Sequence, residues 1–147
     1  MDYKRLALAA VVAWVVDAIY GVVVWMMMLG DEFAKYPSVF RPEAEMNANL
    51  PLMFAGGLLA MFVLAYMYAK GYEGGSGLQE GIRFGVLVAL FTFGFVSVGI
   101  YGSLNIGRRI AALGSVVSFI ELILVGAVIG ALYRPIAQPR APRATAM

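Results

Sequence analysis

Two carboxylates stand where carboxylates are rare. Asp17 lies near the centre of the apolar run "AVVAWVVDAIYGVVVWMMML", and Glu121 near the centre of another that contains "SVVSFIELILVGAVIG". An acid at the middle of a transmembrane helix costs about 2.5–3.5 kcal/mol on insertion scales. No Lys or Arg occupies the central turns of any apolar run, so no protein cation offsets that cost. Two acids brought together in a dry site cannot both ionise, and they titrate as one coupled unit. The expectation is a buried carboxylate pair, Asp17 with Glu121, that holds at least one proton.

Helical spacing names the neighbours. Residues three and four apart share a helix face, which groups Ala13, Asp17, Tyr20 and Gly21 on the first apolar run and Gly114, Ser118 and Glu121 on the last. Gly85, Ala89, Thr92, Val96 and Gly99 form a small-residue stripe on the third, of the kind that lets helices approach closely in lipid. Tyr20, Thr92 and Ser118 are therefore the expected hydrogen-bond partners of the pair. Two readings stand. The acids are neutral hydrogen-bonding glue, though such bonds in lipid average only about 0.6 kcal/mol, or they handle protons or cations.

Gly126 and Gly130 make a separate helix-packing seam, about 140° around the last helix from Glu121 at 100° per residue. An internal neighbour or a foreign helix could use it, and it is the best hint of an outside partner. "WMMML" offers thioethers of the kind that bind Cu(I). Three consecutive methionines point to three sides of a helix, however, so lipid packing is the better reading.

Absences narrow the chemistry. The chain has no Cys and no His, which removes His- and Cys-based haem, iron–sulfur and zinc sites and the usual base for a hydrolytic nucleophile. No catalytic residue, metal or cofactor is expected, and the chain does not read as an enzyme. A net charge of +2 spread along the sequence gives no basis for nucleic-acid binding.

The elements that must position the acids are plain. The 147 residues are 62% hydrophobic, with a mean hydropathy of +0.83. Apolar runs at 6–29, 52–69, 82–104 and 110–133 each approach the ~20 residues a helix needs to span the hydrocarbon of a bilayer. They predict one domain over 1–133, an all-α four-transmembrane-helix bundle. The first run is too long for a signal-peptide core and reads as a retained helix. Lys4, Arg5, Lys70, Arg83, Arg134, Arg140 and Arg143 fall on one side, against Lys35, Arg41, Arg108 and Arg109 on the other. The positive-inside rule then puts both termini in the cytoplasm.

The connections differ in kind. "GDEFAKYPSVFRPEAEMNANLP" is long and carries Phe33, Tyr36 and Phe40, which suits a tethered interfacial loop first, and otherwise a cap over the bundle or a docking surface. Its prolines forbid one continuous helix. "KGYEGGSGLQE" lacks the Lys-Ser/Thr of a phosphate loop and reads as a flexible hinge. The short "NIGRR" connection makes the last two helices antiparallel neighbours. Residues 134–147 are Pro-, Ala- and Arg-rich without apolar periodicity and are expected to be a disordered basic cytoplasmic tail.

The order of these features, with "GLQEGIRFG" opening the third helix and an acid within "FIELILVGAVIGALY" of the fourth, resembles a family of small uncharacterised bacterial four-helix integral membrane proteins. That resemblance implies the architecture, and with it a multi-pass protein of the bacterial inner membrane, but no reaction. The function expected is a non-enzymatic accessory or scaffolding subunit of a larger bacterial membrane complex, respiratory and photosynthetic assemblies being candidates. Its partners would be lipids and other membrane-protein subunits or copies of itself. The alternative is a small proton-coupled transporter or channel that uses the Asp17/Glu121 pair.

Overall fold

Asp2 caps the first helix, its carboxylate accepting from the backbone N–H of Lys4 and Arg5 at 3.1 Å each, so two of the orphan donors of that end are satisfied. The computed structural model describes residues 1–133; the tail expected at 134–147 lies outside them. Helix α1 (Tyr3–Tyr20) continues as a π-helical segment (Gly21–Met28), followed by the short α2 (Gly30–Ala34) and the long α3 (Glu43–Gly71). Helix α4 (Gly77–Thr92) passes through a second π segment (Phe93–Ser97) into α5 (Val98–Ser103), and α6 (Arg108–Leu132) completes the described chain. No strand occurs among the described residues. Four helical stretches, Tyr3–Met28, Glu43–Gly71, Gly77–Ser103 and Arg108–Leu132, are long and apolar enough to cross a bilayer. The chain reads as a multi-pass membrane protein.

In cross-section α1 packs between α3 and α6, and α4 lies on the other side of α6. Burial is uneven along the helices. Leu6, Ala9, Ala10 and Ala13 of α1 meet Met61, Ala65 and Tyr68 of α3 and Val125 and Ile129 of α6 in one core. All of these lie in the half of the bundle nearest the N-terminus, the α3–α4 turn and the end of α6, called here the terminal half. Tyr68 is the centre of its aromatic floor. Its ring contacts Tyr72, Phe84 and Tyr133 at centroid distances of 6.0, 5.6 and 6.2 Å, and its hydroxyl donates to Gly77 O at 3.0 Å. In the far half fewer side chains are buried, and Phe91, Phe93, Phe95 and Val98 of the third span are exposed.

The closest packing joins α4 to α6. Gly77, Gly81, Gly85 and Ala89 are buried along one face of α4, against Gly126 and Gly130 of α6. A Cβ on Gly126 would stand 2.5 Å from Gly81 O and 2.7 Å from Gly85 Cα; one on Gly85 would stand 2.6 Å from Leu122 O. Backbone therefore lies on backbone, the arrangement that substitutes for a hydrophobic drive in lipid.

Two expectations about the connections are corrected, and a third connection, left open between a tethered loop and a cap, packs as a cap. The second span begins at Glu43 and runs straight through Pro51. Pro42 at its N-cap has φ −57° and Glu43 and Glu45 occupy its first turn, a start favoured by proline geometry and the helix dipole. Pro51 frees only the carbonyl four residues back, on exposed Asn47. The turn between α3 and α4 is fixed rather than a loose hinge. Glu80 reaches back from α4 to accept from Glu73 N at 3.0 Å and from Gly75 N, Tyr72 donates to Gly75 O at 2.8 Å, and Gly74 supplies the φ of +93° that a side chain would resist. The long loop is a cap. Leu29 is buried, Tyr36 lies against Gly107, and Glu32 reaches Arg109 at the start of α6 at 3.3 Å.

Candidate functional site

The site at mid-depth is built mainly by α1, its π segment and α6, where the terminal core gives way to the open far half. Tyr20 donates its phenol to the main-chain O of Val117 at 2.9 Å. Trp25 donates Nε1–H to Glu121 Oε2 at 3.1 Å, with its ring edge placed so that a Cβ on Gly114 would stand 3.7 Å away. These two bonds staple the end of α1 and its continuation to α6. Helix α3 is tied on the other side of α1, where Trp14 Nε1–H donates to Phe54 O at 2.9 Å.

Winding explains how Trp25 arrives there. In an α-helix, residues five apart lie about 140° apart, so Tyr20 and Trp25 would face different neighbours. From Gly21 to Met28 the bonds run i→i+5, as in Leu29 N to Val24 O at 3.0 Å, and that wider winding brings residues five apart toward one side. The indole and the phenol then both meet α6.

Asp17 and Glu121 are near enough for their charges to interact, and both are partly buried, yet no hydrogen bond joins them. Asp17 lies toward α3, where a Cβ on Gly57 would be 3.6 Å from Asp17 Oδ2 and equally close to the Trp14 ring. Among the described residues its carboxyl makes no side-chain hydrogen bond, while Glu121 has one donor, Trp25. The expected partners are therefore corrected. Tyr20 bonds a backbone carbonyl instead of an acid, and neither Thr92 nor Ser118 makes a side-chain hydrogen bond. Thr92 ends α4, and the π turn that follows shifts the phase of its stripe, so Val96 and Gly99 leave the contact face and are exposed.

Gly126 and Gly130 form a seam that α4 fills from within the chain. The foreign helix for which that seam was the best hint is not needed there. Trp25 is the residue that spacing missed. One signal was available: an indole N–H in an apolar environment needs an acceptor, and an acid at similar depth supplies one.

The surroundings are apolar. A groove of about 510 Å³ between α1 and α3 is lined by Trp14, Val15, Ala18, Ile19, Val22, Val23 and Phe54. Above the site, Trp25 stacks on Phe33 at 6.1 Å and Phe33 meets Phe40 edge-on at 4.8 Å, so the cap rests on the indole that holds Glu121. Glu32, outside the spans, is held below the usual carboxylate range by the hydrogen bond from Lys35, 2.7 Å away, and by the Arg109 charge. Its tether to α6 is lost only as the pH falls through that lowered value. Among the described residues no group of three or more His, Cys, Asp and Glu converges as a metal site would require.

No family model matches the chain, and no curated protein or solved structure matches it either.

Proposed function

We propose that the chain is a non-enzymatic accessory or scaffolding subunit of a larger complex in a bacterial inner membrane, with both termini in the cytoplasm. One contrast carries the reading. In the terminal half every glycine of α4 is matched by backbone of α6, whereas Gly94, Gly99 and Gly102 of the same span have nothing within 4 Å. In lipid, small residues are useful where another helix approaches, and a span that meets only lipid has no need of them. A helix from another subunit supplies the missing half of that face. The open far half and the ordered cap frame it on the side away from the termini.

Gly99→Leu should release the protein from its native complex while the isolated bundle stays folded, because Gly99 is exposed and a Cβ there has nothing within 4 Å inside the chain. Gentle detergent extraction followed by size analysis and identification of what co-purifies reads this directly. Full retention of the mutant in the complex would remove the basis for the assignment.

The orientation has its own test. Cysteines placed at Ala34 in α2 and at Ser76 before α4 should label from opposite faces, Ala34 from outside. The native chain has no Cys to confuse the labelling. Labelling of Ser76 from outside would reverse the orientation.

A second reading, a small proton-coupled transporter or channel, is favoured by one observation. Asp17 is an intramembrane carboxyl with no hydrogen-bond partner among the described residues, and ionisable groups at that depth commonly mark a proton or ion path.

A further inference from the structure

We propose that Glu121 is a proton sensor that governs the outer cap through Trp25, the cap being held while Glu121 is ionised and loosened when it is protonated. This goes beyond the subunit assignment and does not depend on the identity of a partner. The chain of contacts is continuous. Glu121 accepts from Trp25 Nε1–H at 3.1 Å; Trp25 stacks on Phe33; Phe33 packs on Phe40; and the loop carrying both closes over the start of α6 through Tyr36 at Gly107.

The middle of this chain has two arrangements available to it. Trp25 reaches α6 because the backbone around it is π-helical. The π-helix is the rarer winding, found mostly as single-turn bulges in α-helices and frequently at functional sites. Return to α winding rotates Trp25 away from the side it shares with Tyr20 and withdraws the surface on which Phe33 stacks. The indole bond to Glu121 is what opposes that return, with the Tyr20 bond to Val117 O fixing the other end. A bond to a carboxylate is roughly twice as strong as one to a neutral acceptor, so protonation of Glu121 weakens the grip without any change in shape.

The groups that face Glu121 are few. Asp17 and Tyr20 do so from α1. Residues 84–100 of the third span and 53–65 of α3 contain no ionisable side chain. Glu32 in the cap is held below the usual carboxylate range by Lys35 and Arg109, so the cap's own ion pairs respond at lower pH than a solvated acid would.

The test uses the full chain in liposomes across a series from about pH 4 to about pH 9, which spans solvated and buried carboxyls. Indole emission should show one sigmoidal change, lost in Trp25→Phe and in Glu121→Gln but present in Asp17→Asn. Nitroxides on cysteines at exposed Ser38 and Asn105 should give a narrow distance distribution at high pH and a broad one in acid. Glu121→Gln should keep the broad distribution at every pH. The proposal is overturned by an emission change that survives Glu121→Gln, by one that vanishes only in Asp17→Asn, or by a wild-type distance distribution that ignores pH. Because Trp25→Phe removes the reporting indole, it assigns the emission change to Trp25, and the wild-type distance series decides the proposal even if the amide variant folds poorly.

Discussion

Gly126→Leu is expected to separate α4 from α6 and leave the detergent-solubilised chain unfolded under conditions where the wild type is folded. The seam has no slack. Even an alanine Cβ at this position would meet Gly81 O at 2.5 Å and Gly85 Cα at 2.7 Å, and both are backbone atoms that cannot swing aside. Alanine gains about 1 kcal/mol of helix propensity over glycine. Overpacking in a tight core costs typically 1–3 kcal/mol and occasionally more, so Gly126→Ala should also lose stability on balance. Leucine adds three further carbons to the same clash, and the close contact it opens is the main one α4 makes. Gly94→Ala is the control, since nothing lies within 4 Å of it and the propensity gain goes unopposed. Unfolding followed by circular dichroism in a graded detergent series should rank the variants with Gly94→Ala at or above wild type, Gly126→Ala below it and Gly126→Leu lowest. A Gly126→Ala protein as stable as wild type would mean that the two helices do not meet at this seam.

The four helices are legible in the sequence because their signal is length and hydropathy, which survive any error of detail. The seam is half legible. Gly126 and Gly130 announce a close approach, but a glycine stripe does not say which helix fills it. Its complement is partly hidden, because Gly77 and Gly81 fall before the hydrophobic run at 82–104 and read as part of the connection. The start of α3 is hidden for a related reason. Pro51 reads as a stop, yet near the end of a long helix it frees one carbonyl at an exposed residue, and Glu43 and Glu45 behind it are good first-turn residues.

The site is the least legible part, and the reason is winding. Face arguments assume 100° per residue, and the first and third spans each contain a π segment. "GVVVWMMM" is apolar on every side, so it carries no phase by which a change of winding could be noticed. Hydropathy gives the depth of the acids, but α-helical spacing points to the wrong hydrogen-bond partners. Trp25 lies off that spacing, and Val96 and Gly99 keep to it only if the winding before them does not change.

Asp17→Leu should make the isolated chain more stable and should abolish its function. The two side chains have the same branched shape, so leucine fits beside Trp14 and Gly57, where even an added Cβ on Gly57 would stand an ordinary 3.6 Å from the carboxyl. No hydrogen bond is lost, because Asp17 makes none among the described residues. What disappears is a polar group held at mid-depth without a partner, a penalty on the order of 1–3 kcal/mol. Glu121→Leu should do the opposite, since it orphans the Trp25 N–H, and Asp17→Asn should lie near wild type. An intramembrane acid that weakens its own fold is by default a candidate for a functional role. If the bundle serves a complex, Asp17→Leu should remain folded but fail to co-purify with its partners. Asp17→Asn, still able to hydrogen-bond, should be retained. If the carboxyl carries a proton, both variants should abolish pH-dependent flux in liposomes, because neither can ionise. A loss of stability in Asp17→Leu would show that the carboxyl already has a partner within the chain, and both functional readings of Asp17 would lose their footing.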